Sequence, residues 1–568
     1  MCGIIGSVGS LNHYQNVING LKRLEYRGYD SSGISYLVNH DIRLIKVPFM
    51  VENLIKQVRP FTSENAIGHT RWATHGKISK ENTHPFISYH GLFSLVHNGT
   101  IDNYLNLKDE LIENGYQFEG ETDSEVVVNY LEYLYLENFD LLKSLNLLDQ
   151  KLKGSYSLVV IFRENSNLYF LKNQTSLLIC KEKDGYLISS DLYAFNKPKI
   201  NYFELQDHQY GFINQTECCV YLNSQVQNVL FSQVTIDIEP LDQINCYLEK
   251  EIFECPKVLK SEIDHYVNNN QVIIDEEIIN KLKNASKITV IGCGTSYHAG
   301  LIFKRFSHHP NVEVKLASEF IYEKSLFNDN EVFIVLSQSG ETLDIIRSLE
   351  KVNDYFTIGI TNNKESRIAR MVKKHLDIMV KKEISVASTK AYFGEVVILY
   401  LLNAKINNLP LDDILELPNN LNSVLNQSNK IKDIANKVSK YPSLYFLGKG
   451  IDYDACKECS LKLKEITYIH SEAIPLGELK HGPLALINEN FPVIIIHSNP
   501  ELNKVIDLAK NEIKSRKGNI FQFELFKDNQ LDFLLQVLFG DLLSLYVGRI
   551  LKVNIDKPKN LAKSVTVE

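Results

Sequence analysis

KITVIGCGTS, residues 287–296, is an apolar run that ends in a Gly-Cys-Gly turn, and its reading decides the architecture of more than half the chain. A short continuous apolar segment of this kind fits a strand buried on both faces, and the glycine turn behind it opens into a helix. EVFIVLSQSGET (331–342) follows, another apolar strand ending in small polar residues. The pair then recurs as SLYFLGKGID (443–452) and FPVIIIHSNP (491–500). Strand, helix, strand, helix is the order of a parallel sheet, and its duplication predicts two flavodoxin-like α/β subdomains. A single larger sheet would give the same pattern, with the boundary between copies near Pro410 to Pro418.

The chain ahead of these copies has a different texture. GIIGSV, IGHTRWA, LFSLVHNG, YSLVVIF, NLYFLK and YLISS are apolar or alternating runs bounded by Gly, Asn or Ser, which read as strands. YQNVINGLKRLEY and NYLNLKDELIENG carry helical periodicity. The expectation is an α+β layer domain over 1–238, a linker at 239–247, α/β subdomains at 248–410 and 411–552, and a C-terminal tail at 553–568.

Composition narrows the class. A length of 568 residues calls for several cores, and 44% apolar with 23% charged residues is ordinary for a globular enzyme. No segment approaches the roughly 18 uninterrupted apolar residues of a membrane span. A net charge of −8 argues against a nucleic-acid partner, which needs clustered Lys and Arg. Nine cysteines without a framework spacing, and a start lacking a basic segment before an apolar one, point to free thiols in a cytoplasmic protein.

MCGIIG places a cysteine directly behind the initiator. Removal of Met1 would give Cys2 a thiol and a free α-amine on one residue, and an α-amine with a reference pKa of about 7.7–8.0 can accept the thiol proton at neutral pH. Cys2 could equally be a small buried residue opening a strand. HNGTIDN (97–103) offers an oxyanion site, since the Asn98 side chain and the Gly99 backbone N–H can aim at one oxygen. His69, His75, His84 and His97, each taken alone, read as ordinary hydrogen-bonded histidines, Arg71 as an ion pair, and Trp72, the only tryptophan, as core packing.

In the second region SQSGET (337–342) joins a strand to a helix, so hydroxyls and first-turn N–H groups should converge there on an anion. It has no lysine, which favours a sugar phosphate over a nucleotide triphosphate with magnesium; an N-cap is the plainer account. In LKLKEITYIH (461–470) Lys462 and Glu465 are three apart and share a helix face, as a simple salt bridge would.

MCGIIG, LKRLEYRGYDSSG, HTRWATHG, HNGTIDN and ETDSE, in that order, resemble the class II glutamine amidotransferase domain. The resemblance implies an Ntn-hydrolase αββα sandwich in which Cys2 attacks the glutamine amide and Asn98 and Gly99 form the oxyanion hole. It implies that Arg71 grips the substrate α-carboxylate, that Asp123 meets its α-ammonium, that Thr74 and His75 belong to the same pocket, and that Trp72 gates an ammonia passage. SQSGET, CGTS (293–296) and VAST (386–389) resemble a pair of SIS, or sugar isomerase, domains. That implies phosphate contacts from Ser337, Gln338, Ser339 and Thr342, with Thr295, Ser296, Val386 and Ser388 near the sugar and Gly292 and Gly294 allowing close backbone approach.

Together the two sets resemble the glucosamine-6-phosphate synthase family. Glu465 then moves a proton between sugar C1 and C2 with Lys462 beside it, His481 of GELKHGPLAL (477–486) assists ring opening, and Lys563 of DKPKNLAKSVTVE (556–568) forms a Schiff base with the ketose. The implied substrates are L-glutamine and D-fructose 6-phosphate, with no cofactor or metal, in a homodimer whose sugar site borrows the His481 loop from the neighbouring subunit. Ser385 stands where the family generally has Gly, Ile474-Pro475-Leu476 replaces Tyr-Ala-Ala, and Phe86 follows HP where His is common. The sequence also admits two rivals: an amidotransferase or deglycase for another phosphosugar, and a sugar-phosphate sensor with an idle glutaminase domain.

Overall fold

The computed structural model describes residues 2–73, 76–236, 238, 245–324 and 326–563. The chain divides into two compact units, one carrying it to Gln243 and the other running from Ile244 to Ser564.

Strand alternation builds the first unit. In the strand Gly3–Gly9, Ile4 and Val8 face one way and Ile5 the other. Ile4 and Val8 join Val159, Ile161 and Phe170 in a core between two sheets, while Ile5 packs on Val17 and Leu21 of the helix His13–Leu24. The strand Gly154–Phe162 does the same in the second sheet: Val159 and Ile161 point to the inter-sheet core, and Leu158, Val160 and Phe162 point to the helices Tyr104–Glu113, Asp123–Asn138 and Leu141–Lys151. Each such buried side chain contributes on the order of 1.5–3 kcal/mol. Three apolar layers thus separate helix, sheet, sheet and helix, an antiparallel αββα sandwich. Its eight-stranded sheet runs in the order 232–235, 199–204, 178–182, 185–189, 3–9, 65–71, 31–38, 41–47. The seven-stranded sheet runs 225–226, 218–222, 209–213, 168–173, 154–162, 93–101, 86–87.

In the second unit the two copies form two separate parallel sheets, which settles the choice left open by the sequence. One has five strands in the order 312–316, 287–292, 331–337, 356–361, 374–377; the other has four, 470–475, 443–448, 493–495, 520–522. Their inner faces share one core, in which Val290 and Ile334 of the first sheet and Phe446 and Ile494 of the second meet the helices Tyr247–Tyr266, Lys390–Asn407, Ile451–Thr467 and Asp532–Ile550. The outer faces have cores of their own, around Ile291 and Val335 and around Leu447 and Ile495. Asp532–Ile550 is long and apolar enough to cross a membrane, but 89% of its most apolar stretch is buried in this fold, along Ile451–Thr467. Pro410 precedes the helix Asp412–Leu425 and Pro418 sits inside it.

The two glycine turns are built alike. A Cβ on Gly292 would lie 2.7 Å from the backbone N of Tyr297, and one on Gly448 2.5 Å from the backbone of Asp452, so the helix packs onto the strand end only over glycine. Gly294 and Gly450 have φ of +53° and +65°, so their role is the left-handed turn rather than close approach.

Candidate active sites

The first site gathers at the edge where the strands Gly3–Gly9, Asn65–Arg71 and Phe93–Ile101 end. Cys2 leads into the first strand, half-buried, with its Sγ 3.7 Å from the Trp72 carbonyl. Its own carbonyl is held from two sides, by Asn98 Nδ2 at 3.1 Å and Arg27 Nε at 3.2 Å. Gly99 follows with φ +127°, and a Cβ there would sit 1.9 Å from the Ser155 carbonyl, so only glycine fits. Arg71 ends its strand 3% exposed. Burial lowers its pKa, while the nearby Cys2, Asp30 and Asp123 side chains pull the other way. Asp123 opens the helix Asp123–Asn138 and accepts the Ile101 N–H at 3.0 Å. Thr74 and His75 lie outside the described residues.

The sequence reading passed over two groups here, both in the motif LKRLEYRGYDSSG. Arg27 bridges the Cys2 carbonyl to Asp191, 3.2 Å away. Asp30 accepts the Ala73 N–H at 2.8 Å and so anchors the turn after Arg71 and Trp72. The motif's position near the N-terminal cysteine was the available signal.

The second site lies in the second unit, where the helix Gly294–Phe306 behind the first glycine turn meets Ile451–Thr467 behind the second. Lys462 is 1% exposed, and its Nζ lies 2.7 Å from Glu465 Oε2, 3.1 Å from Thr295 Oγ1 and 3.5 Å from Glu458 Oε1. Burial alone would lower the Lys462 pKa; Glu465 and Glu458 reverse this and raise it. Glu458 accepts from Thr295 Oγ1 at 3.0 Å and pairs with His298 Nδ1 at 2.7 Å. Burial would raise its pKa, but Lys462 and His298 bring it below the usual value. Glu458 and His298 were not singled out from the sequence, because their pairing links residues 160 apart. Ser296 donates to Glu395 Oε1 at 2.7 Å, and burial pushes that carboxyl up to about 8.

SQSGET forms the turn its composition predicts. Ser337 Oγ and Thr342 Oγ1 are 3.0 Å apart, Gly340 N donates to Ser337 Oγ at 3.1 Å, and Thr342 stands at the N-cap position of the helix Leu343–Lys351, its hydroxyl turned to Ser337 and not to the helix N–H groups. Gln338 accepts the Asn362 N–H on its backbone carbonyl at 3.1 Å, and Glu341 N donates to Ser339 Oγ at 3.1 Å.

The loop carrying Val386 and Ser388 holds the C-terminal tail. Val386 N donates to the Asp556 carbonyl at 3.0 Å, and Asp556 in turn accepts the N–H groups of Tyr247 and Leu248 at 2.9 and 2.8 Å. Lys563 Nζ lies 2.5 Å from Glu383 Oε2, which also accepts from Ser388 Oγ at 2.7 Å. Ser385, the departure noted above, donates its hydroxyl to Glu251, whose carboxyl burial and Glu383 push up to about 7. His481 lies exposed at the end of the turn Leu476–His481 and is not among the groups bonded to Lys462 or Glu465.

Comparison with known proteins agrees with both halves. Residues 69–197 match the glutamine amidotransferase domain family, and 281–404 with 437–532 match the SIS domain family. The chain is 36% identical to the isomerizing glutamine–fructose-6-phosphate aminotransferase of Caldanaerobacter subterraneus subsp. tengcongensis, over 100% of both chains. It is 35% identical, again over 100% of both, to the enzyme of the same name from Clostridium perfringens. Among solved structures, the C-terminal domain of glucosamine-fructose-6-phosphate aminotransferase from Francisella tularensis is 29% identical, with a TM-score of 0.52, covering 56% of this chain and 100% of that one.

Proposed function

The chain belongs to the family of isomerizing glutamine–fructose-6-phosphate aminotransferases, and from that premise we propose how its own residues divide the work. The reaction transfers the amide nitrogen of L-glutamine to D-fructose 6-phosphate and isomerises the product to D-glucosamine 6-phosphate.

In the first unit, the α-amine of Cys2 takes the thiol proton and the sulfur attacks the side-chain carbonyl of glutamine. The oxygen becomes negative and is met by Asn98 Nδ2 and the Gly99 N–H. The C–N bond breaks as the α-ammonium of Cys2 returns its proton to the nitrogen, ammonia leaves, and water then adds to the thioester, releasing glutamate and restoring the thiol. Arg71 takes the α-carboxylate as a planar two-toothed donor, and Asp123 the α-ammonium. Thr74 and His75 complete this pocket, and Trp72 gates it.

In the second unit, SQSGET holds the phosphate through Ser337, Gln338, Ser339 and Thr342, and Thr295, Ser296, Val386 and Ser388 frame the sugar. His481 of the partner subunit opens the ring in a homodimer, a reading supported by its exposure within its own chain. Lys563, once its ammonium proton has passed to Glu383, attacks the ketose C2, and water leaves to give an imine; ammonia then displaces the lysine. Glu465 carries the proton from C1 to C2, held in place by Lys462. Ammonia is handed from the first reaction to the second without release to water, which would protonate and dilute it, and confinement supplies a high effective concentration.

The observation that carries this division is Lys462, buried between Glu458, Glu465 and Thr295: a charge so enclosed, beside a carboxylate, is the setting for proton transfer and not for a phosphate grip alone. A sensor would need only the SQSGET turn. The test is amide-labelled glutamine with fructose 6-phosphate. Label in glucosamine 6-phosphate supports the reading, glutamate without amino sugar indicates another acceptor, and no turnover indicates a sensor.

A further inference from the structure

His69 stands in HTRWATHG, on the strand Asn65–Arg71, and the reaction as described does not use it. Its side chain is fully buried, with its ring against that of His84 at a centroid distance of 4.0 Å and tilted by 31°. Nε2 lies 2.9 Å from the His97 carbonyl oxygen and 3.1 Å from Asn98 Oδ1, while Nδ1 has no hydrogen-bond partner among the described residues.

These distances fix the hydrogen on Nε2. A backbone carbonyl only accepts, so Nε2 must carry the hydrogen, and in the neutral ring Nδ1 is then bare. An N–H aimed at the tip of Asn98 admits its oxygen and not its NH2, which would set two donors face to face. The amide is therefore held one way round, with Nδ2 turned to the Cys2 carbonyl at 3.1 Å, on the side of the nucleophile. Reversed, Asn98 would offer an oxygen to a developing negative charge and oppose it. Burial pulls the imidazole pKa down to about 3 against the raising effect of the His97 carbonyl, with His97 and Arg71 adding to the fall, so the ring stays neutral and keeps this tautomer across ordinary pH.

We propose that His69 is the positioning residue of the oxyanion site: its Nε2–H locks the Asn98 amide so that Nδ2 faces the negative oxygen formed on glutamine. This rests on the roles given above to Cys2 and Asn98. Removing an oxyanion donor costs about 10²–10³ in kcat, and a donor that can turn away should cost a large part of that.

The experiment is steady-state glutaminase kinetics on the full-length protein. His69→Phe is expected to lower kcat by about 10- to 100-fold with the KM for glutamine little changed, because the substrate grip at Arg71 and Asp123 is separate. His69→Gln, whose amide N–H can replace Nε2–H, is expected to recover at least half of that loss on a logarithmic scale. Adding His69→Phe to Asn98→Ala should slow the enzyme by less than about two-fold, since nothing is left to position. A His69→Phe enzyme within about two-fold of wild type overturns the proposal, as do equal losses in the Gln and Phe variants or full additivity with Asn98→Ala, which would assign His69 to packing. If Asn98→Ala itself leaves kcat unchanged, the oxyanion assignment fails instead, and the two failures are told apart.

Discussion

Lys563 Nζ and Glu383 Oε2 form an ion pair at 2.5 Å in which the side chains are 3% and 0% exposed. A buried pair is costly to break from one side, because the partner is left charged and unsolvated. Burial alone would raise the Glu383 pKa, but Lys563 outweighs it and holds the carboxyl down at about 2. Because this folded value lies below the unfolded one of about 4.3, the pair's stability is present in full above about pH 4.3 and is lost as pH falls toward 2. Urea midpoints should therefore fall more steeply with acid for wild type than for Glu383→Gln; parallel curves would remove the pair from the account.

The same lysine should be trapped chemically. Borohydride added with fructose 6-phosphate is expected to reduce an imine to a stable secondary amine, and peptide mass spectrometry should place the adduct on Lys563. The adduct should be absent from Lys563→Arg, and its appearance on another lysine would move the Schiff base elsewhere.

Cys2→Ala should abolish use of glutamine, with residual activity at least about 10³-fold down, while ammonia at high pH still yields glucosamine 6-phosphate from the second unit. Loss of both activities would count against the division. Intact-mass analysis must also show Met1 removed, since the nucleophile's base is its own α-amine.

Lys462→Met leaves Glu458 buried with His298 as its remaining ionic partner and should cost about 3–5 kcal/mol in unfolding free energy. Lys462→Met with Glu458→Gln should recover part of that cost. The Lys462 pKa is raised on folding, so its contribution is full below the unfolded value and lost only as pH rises beyond about 10.4. Denaturation midpoints that do not move would show that the pair contributes nothing.

Ser385→Gly removes a hydroxyl bonded to the buried Glu251 carboxyl and should cost about 1–3 kcal/mol, read as a lower thermal midpoint. An unchanged midpoint would mean that Glu251 finds another donor.

Trp72 is the only tryptophan, and its carbonyl lies 3.7 Å from Cys2 Sγ. Its emission should shift when glutamine-site ligands bind, and an unmoved spectrum at saturation would remove its gating role.

Much of this was written in local pattern. KITVIGCGTS and SLYFLGKGID declare strand-turn-helix units because apolar runs and glycine turns act over a few residues, and the structure returns both with matching turns at Gly292–Gly294 and Gly448–Gly450. Gly3–Gly9 and Gly154–Phe162 were legible as strands, but both are apolar on both faces, so which side chains meet which layer was not. The sequence could not decide between one sheet and two, nor that both sheets share one core, because that depends on which apolar faces find each other. Nor could it pair Glu458 with His298, Glu383 with Lys563 or His69 with Asn98, which are 160, 180 and 29 residues apart. Local pattern sets the shape of each element, since its causes lie within a few residues; the partners of buried charges and the hydrogen on His69 are set by contacts that exist only once the chain has closed on itself.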